Sequence, residues 1–130
     1  MKPITQEWID KSEGDWATLM REYRARKKPN YDAVCFHAQQ CAEKYLKARL
    51  QEAGIHFAKT HNLLNLLNDL LPIEPAWTNL HKSLASLTVY AVKYRYPGDS
   101  ADKAEAQESV KNCRLIRKTV RQFFALSTDD

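Results

Sequence analysis

Apolar and polar residues alternate at helical spacing along most of the chain, and residues 32–53 carry the most informative stretch of this pattern. This stretch contains neither Gly nor Pro. At about 100° per residue, its apolar side chains fall on two faces, with Phe36 and Leu50 roughly opposite a first face made of Val34, Ala38, Cys41, Tyr45 and Ala48. A helix that is apolar on two faces needs neighbours on both. We therefore predict that this segment is the central helix of a bundle.

Four further segments show helical periodicity. The first begins near a Thr5 cap and continues to about residue 27, and the fourth extends from Trp77 to Tyr94. A short, leucine-rich third helix is expected between a Thr60 cap and Pro72, and a fifth after Asp99 or Ser100. The last residues, 127–130, are expected to fray. The sequence predicts an all-α, up-and-down bundle of four long helices plus one short helix, in a single domain over residues 1–130.

Composition supports this fold class and limits the possible functions. Only 3 Gly and 5 Pro occur in 130 residues, and neither a signal-peptide-like segment nor a run of eighteen apolar residues is present. We expect a soluble cytoplasmic protein with no membrane partner. The three cysteines, Cys35, Cys41 and Cys113, follow no metal-ligand spacing and are expected to be buried thiols. The net charge of +4 is compatible with RNA or a nucleotide as partner, but it is too small and dispersed to indicate one.

One flank of the predicted central helix carries four polar residues, His37, Gln40, Lys44 and Lys47, which we call the polar stripe. An imidazole, an amide and two cations along one helix can receive a phosphate group or an acidic partner helix. The alternative is an ordinary solvated edge, on which Glu43 pairs with Lys47 at i, i+4. The spacing leaves both interpretations open.

Two candidate binding residues lie outside this helix. His61 is at the first turn of the predicted third helix, where it either contributes to anion binding or packs beside the cap. Arg95 stands between Tyr94 and Tyr96 on a turn fixed by Pro97. A cation with aromatic neighbours, here Arg95 with Tyr96, can clamp a phosphate or stack on a base, or else it can hold the last carbonyls of a helix.

The sequence contains none of the common catalytic motifs. No nucleophile motif, paired-Cys or HExxH metal motif, or Gly-rich phosphate loop is present. We accordingly predict no catalytic residue, no metal and no cofactor.

Three short segments, in this order and spacing, resemble the HEPN domain family: residues 36–48 (FHAQQCAEKYLKA), 60–63 (THNL) and 94–97 (YRYP). The resemblance implies an all-α bundle that commonly forms homodimers and is proposed to bind nucleotides. It also implies frequent pairing with a minimal nucleotidyltransferase in toxin–antitoxin-like systems. The residues that match the family motifs are Gln40, Glu43, Lys44 and Lys47, then Thr60 and His61, then Tyr94, Arg95 and Pro97.

Many HEPN proteins resemble metal-independent ribonucleases with an Arg followed four to six residues later by His. In this chain no histidine follows Arg95. We therefore expect a homodimeric HEPN-type module that binds a nucleotide or RNA, or pairs with a minimal nucleotidyltransferase, through a groove lined by the polar stripe and Arg95. One alternative is a ribonuclease that uses Arg95 with His37 or His61 as a non-standard base. Another is a purely structural homo- or hetero-oligomerisation domain.

Overall fold

The computed structural model describes residues 1–130 and contains five α-helices. They are α1 (Pro3–Tyr23), α2 (Tyr31–Ala53), α3 (Leu63–Leu70), α4 (His81–Lys93) and α5 (Lys103–Phe123), with a 3-10 segment at Pro75–Leu80 before α4. No strand is present. The predicted all-α bundle of four long helices plus one short helix is confirmed.

Helix α2 is the centre of the bundle, since it packs against each of the other four α-helices. Tyr45, Leu46 and Leu50 on this helix are fully buried. Phe36 does not follow the expectation of two buried faces, because 40% of its surface remains exposed near the beginning of the helix. Gly54 ends α2 in the left-handed conformation at φ 70°, which a glycine adopts without a steric penalty.

The core is one cluster of 25 buried residues contributed by all five α-helices and the 3-10 segment. Leucines of α3 and α4 fill one side of this cluster, and Trp16, Leu19 and Met20 of α1 fill another. The three cysteines are free and buried, as expected. No helix has the length and apolar character needed to cross a bilayer.

Three predicted helix caps are wrong by a few residues. Helix α1 begins at Pro3, so Thr5 lies inside it and donates to Glu52 of α2 at 2.9 Å. Asn62 rather than Thr60 caps α3. Helix α5 begins after Asp102, which forms a reciprocal capping box with Glu105 and outcompetes Asp99 or Ser100.

Other helix boundaries also differ from the sequence pattern. Helix α1 ends at Tyr23 instead of continuing to about residue 27. The predicted fourth helix begins as the 3-10 segment, because Pro75 and the turns before it allow i+3 bonds before the α-helix starts at His81. The segment after α5 does not fray: Ala125 takes a left-handed φ of 55°, and residues 126–130 return along α5.

The α1–α2 connection and the α4–α5 turn meet at one end of the bundle. The Asp32 carboxylate, in the first turn of α2, accepts a hydrogen bond from the Ala101 amide at 2.7 Å. This contact brings the exposed basic residues Arg26, Lys27 and Lys28 to the same end as Arg95.

Candidate binding site

One carboxylate of α1 binds two residues of the polar stripe, His37 and Lys44. Asp15 is 9% exposed; its Oδ1 lies 2.8 Å from His37 Nδ1, and its Oδ2 lies 2.6 Å from Lys44 Nζ. Asp15 lies on the inward side of α1, one residue before the buried Trp16. Two of the four stripe residues are therefore bound to an acid of the neighbouring helix.

Glu43, a residue of α2 itself, binds Lys47 of the stripe and also His61, which lies before α3. Lys47 Nζ lies 3.1 Å from Glu43 Oε2, and His61 Nδ1 lies 2.8 Å from Glu43 Oε1. The side chains of Lys47 and Glu43 are only 8% and 4% exposed. The Lys47 ammonium also lies over the rings of Trp8 and Phe57, at 5.5 Å and 5.9 Å from their centres. The Glu43–Lys47 pair expected at a solvated edge exists, but it is buried.

Gln40, the remaining stripe residue, belongs to a chain of amide hydrogen bonds. Its Nε2 donates to Gln39 Oε1 at 2.8 Å. The Gln39 amide in turn donates to the His61 carbonyl at 3.2 Å and to Glu43 at 3.4 Å. The stripe is thus part of an internal network that attaches the beginning of α3 to α2.

Arg95 has a different environment. It lines a groove of about 470 Å³ together with Asn30, Asp32, Ala33, Phe36, Ala91 and Tyr94. The residue is exposed, and its guanidinium makes neither a hydrogen bond nor an ion pair within the chain. The structure therefore does not show the capping role that was one of the two interpretations of Arg95.

The turn that carries Arg95 is fixed on both sides. Tyr94 Oη donates to Glu105 of α5, which raises the pKa of Tyr94 and keeps the phenol neutral. At the other side, Ala101 is held by Asp32. Tyr96 lies between these two attachments and is 65% exposed, so an aromatic ring and a free guanidinium stand next to each other on an anchored turn.

The groove borders a second depression that contains a basic residue. Lys28, Asn30 and Asp32 line this depression with Ser100 and Ala101. Asn30 and Asp32 belong to both surfaces. The short basic run after α1 therefore adjoins the Arg95 groove, a proximity that spacing along the sequence does not reveal.

The structure separates the residues that were predicted to share one groove. His37, Lys44, Lys47 and His61 are held by acids, whereas Arg95 and Tyr96 are free. The connection between the two groups is Phe36, which lines the Arg95 groove and contacts the His37 ring edge-on at 5.2 Å. His61 is farther away, because its partner Glu43 lies ten residues beyond Ala33, about 15 Å along the helix at 1.5 Å per residue.

Asp15 is the residue that sequence reasoning missed. It follows Ser12 by three residues and precedes Leu19 by four, so helical spacing places it on the same face of α1 as these two buried residues. A carboxylate on such a face requires a partner. The sequence therefore indicates that Asp15 has a partner, although it does not identify the partners as His37 and Lys44.

Comparison with known proteins identifies the family. The family model of the HEPN domain matches residues 5–123. The chain belongs to the HEPN family. A solved structure, the crystal structure of ST0689, described as an archaeal HEPN homologue, has 27% sequence identity and a TM-score of 0.66. That match covers 95% of this chain and 98% of the other. No curated protein matches the chain.

The first two HEPN motif segments of this chain contact each other directly. Glu43 and Lys47, from the segment on α2, and His61, from the segment before α3, form one ion-paired network. In this HEPN chain these motif residues hold α3 against α2. The third segment, with Arg95, does not join this network.

Proposed function

We propose that this HEPN domain is a binding module that holds a phosphate-bearing ligand, a nucleotide or RNA, at the Arg95 groove. The observation that carries the proposal is that Arg95 alone, among the five cationic or imidazole residues predicted for the site, has no acidic partner. A guanidinium presents up to five donors and can bind two phosphate oxygens at once. An unpaired Arg95 is ready to do so without first breaking an ion pair.

The surroundings of Arg95 suit a nucleotide as well as a bare anion. Phe36 and Tyr96 offer exposed aromatic surface on which a base can stack. Lys28 and the exposed Arg26 and Lys27 lie at the same end of the bundle and favour a polyanion over a neutral ligand. The polar stripe also adjoins the groove, because the His37 ring packs edge-on against Phe36, which lines the groove.

The experiment compares binding of ATP, GTP and a short labelled RNA to the wild type, Arg95→Ala, Arg95→Lys and Lys118→Ala. Loss of a bidentate, charge-assisted contact is expected to weaken binding by about tenfold or more in Arg95→Ala. Arg95→Lys should recover part of the loss, because it restores the charge but not the planar fork. A ligand that binds only the folded state should also raise the melting temperature.

Lys118→Ala is the matched control, since Lys118 is exposed on α5 and its loss changes the net charge equally. Its affinity should stay within about twofold of the wild type because long-range charge effects are screened. Equal affinities of Arg95→Ala and Lys118→Ala, or no binding of any of the three ligands, would refute the proposal.

A second function, self-association or pairing with a minimal nucleotidyltransferase, is supported by an apolar strip on α4. Val89 and Val92 are 58% and 55% exposed and lie three residues apart on the helix face that points away from the core. We propose a homodimer through this face, as the family resemblance suggests. A Val89→Asp, Val92→Asp double variant should elute as a monomer in light-scattering chromatography while its circular dichroism stays unchanged. A wild type that is monomeric at every concentration would exclude self-association. If it also formed no complex with a minimal nucleotidyltransferase, pairing would be excluded as well.

The ribonuclease alternative has one supporting feature, the position of His37. Asp15 holds the His37 imidazole through Nδ1, as a carboxylate orients a catalytic histidine, and the ring contacts the groove residue Phe36. In such a cleavage His37 would take the proton of the ribose 2′-hydroxyl as this oxygen attacks the adjacent phosphate, and Arg95 would stabilise the phosphate charge. The P–O5′ bond would break as the P–O2′ bond forms, and the leaving 5′-oxygen would take a proton from water. Incubation with tRNA tests this: cleavage that is lost in His37→Gln but kept in the exposed control His81→Gln would establish the activity.

A further inference from the structure

A cluster of arginines lies on the other side of α1 from the polar stripe. Arg114, Arg117 and Arg121 follow each other on α5 at i, i+3 and i+7, which places them on one face of the helix. Arg21 and Arg24, at the end of α1, approach the same region and line a cavity together with Arg117. Neither the family motifs nor the Arg95 groove accounts for this cluster.

Part of the cluster is committed to Glu13 of α1. Arg117 Nε and Nη2 donate to the two oxygens of Glu13 at 2.9 Å and 2.8 Å. Tyr45 Oη donates to the same carboxylate at 2.6 Å, and Arg121 approaches it at 3.4 Å. Glu13 therefore binds mainly Arg117, which is only 3% exposed, and more weakly Arg121, while Arg114 has no acidic partner on the helices.

The segment after α5 supplies a second carboxylate, that of Asp130, to the arginine cluster. Arg114 holds both carboxylate oxygens of Asp130, at 3.3 Å and 2.7 Å, and Arg24 lies 3.9 Å from the same group. The hydrogen bond from Arg114 lowers the pKa of Asp130, so the group is ionised at neutral pH. The buried Arg117 also donates to the carbonyls of Thr128 and Asp129, at 3.2 Å and 2.8 Å.

A cavity of about 580 Å³ opens beside this contact, with Trp16, Arg21, Arg24, Arg117 and Asp130 among its lining residues. Arg114 and Arg117 lie over the Trp16 ring, at 5.4 Å and 5.1 Å from its centre. The indole thus orients two guanidinium groups. Because three guanidinium groups, of Arg21, Arg24 and Arg117, and two carboxylates, of Glu13 and Asp130, line the cavity, its lining keeps an excess of positive charge.

Arg114 binds both oxygens of the Asp130 carboxylate, and Arg24 lies near the same group. Proteins bind phosphate groups with a similar arrangement of arginines. We propose that this cavity is a second anion site, which takes the phosphate or diphosphate group of a small molecule, and that Asp130 occupies the phosphate position as an internal competitor. A ligand enters by displacing Asp130 from Arg114 and Arg24. Arg117 stays on Glu13 and keeps the floor of the site in place.

Isothermal titration with inorganic pyrophosphate tests this proposal on the wild type, Asp130→Asn and Asp69→Asn. Asp130→Asn removes the competing charge and should bind pyrophosphate about tenfold more tightly than the wild type, the equivalent of one charge-assisted hydrogen bond. Asp69 is exposed on α3, so Asp69→Asn makes the same change in net charge away from the cavity. It should match the wild type.

Two further variants in the Asp130→Asn background locate the bound anion. Adding Arg114→Gln should abolish the gain in pyrophosphate affinity, whereas adding Arg95→Ala should leave that gain unchanged. Equal affinities of Asp130→Asn and Asp69→Asn, or loss of binding with Arg95→Ala instead of Arg114→Gln, would overturn the second site. Because the Arg95 groove is tested separately, failure here leaves the proposed function intact, and failure there leaves this site intact.

Discussion

The polar stripe of α2 and the α4–α5 turn contain similar residues in opposite situations. Lys44 and Lys47 are cations of a helix that is buried in the bundle, and each lies within 3.1 Å of a carboxylate oxygen. Arg95 is a cation of an exposed turn, and it has no such partner. The stripe therefore stabilises the fold, while the turn remains available to a ligand.

This difference shows that the type and spacing of side chains on one helix do not determine their use. Lys44 and His37 are occupied because Asp15 stands opposite them on α1. A cation taken out of water without a partner costs several kcal/mol, so a buried lysine must have found an acid, whereas an exposed arginine need not. Burial therefore requires an acidic partner for Lys47, whereas the partly exposed Lys44 and the mostly exposed His61 are paired because Asp15 and Glu43 lie within reach.

Removing the acid at the centre of the stripe should give the largest effect. Glu43→Gln leaves the buried Lys47 ammonium without a counter-charge and weakens the attachment of His61. We expect the free energy of unfolding to fall by about 3 kcal/mol, as for other broken buried pairs. Urea denaturation measures this change.

Glu7→Gln is the matched control, because Glu7 is exposed on α1 and forms no ion pair. It should change the free energy of unfolding by less than about 0.5 kcal/mol. If Glu43→Gln were as stable as Glu7→Gln, the stripe would not be a stabilising network and its residues would again be candidates for ligand binding.

A smaller effect should appear on acidification, through the acid that α1 contributes to Arg117. Burial alone raises the pKa of Glu13, but hydrogen bonds from Arg117 and Tyr45 outweigh it and bring the pKa below the usual 4.5. The unfolded chain then binds the proton first. The stability that Glu13 provides is complete above pH 4.5 and is lost as the pH falls through the folded-state pKa.

Urea denaturation of the wild type and Glu13→Gln, well above and well below pH 4.5, measures this dependence. The wild type should lose more stability on acidification than the variant, so the gap between them should narrow at low pH. A gap that stays constant would mean that the Glu13 pKa is the same in the folded and unfolded chains.

The smallest effect is expected for Arg95. Its side chain is exposed and makes no hydrogen bond or ion pair that Arg95→Ala would break, so the free energy of unfolding should change by less than about 0.5 kcal/mol. The same denaturation assay measures it. A loss of about 2 kcal/mol would show that Arg95 is a structural residue, and the contrast between the two regions would disappear.

The fold was predictable because the helices are long and periodic. The central position of α2 follows from apolar residues on two faces, and Gly54 marks its end. Phe36 departs from the pattern because it lies at the end of the bundle, where the neighbouring elements turn away. Helix beginnings were less predictable, since several capping residues compete within a few positions, as Asp99, Ser100 and Asp102 do before α5.

The candidate site was predictable only in its parts. Residue type and the neighbouring residues in the sequence indicated Arg95 and Tyr96 as candidates, and both are exposed in the structure. The pairing of the stripe depends on contacts across helices, such as Asp15 with Lys44, which are 29 residues apart. No periodicity within one helix contains that information.

The hydrogen bond between Asp32 and the Ala101 amide has a consequence for recognition. Together with the Tyr94 contact to Glu105, it fastens both flanks of the segment that presents the free guanidinium. A loop that is already ordered loses little conformational entropy when it binds a ligand. Cutting the Tyr94 attachment with Glu105→Ala should therefore slow or weaken binding, although Glu105 does not line the groove.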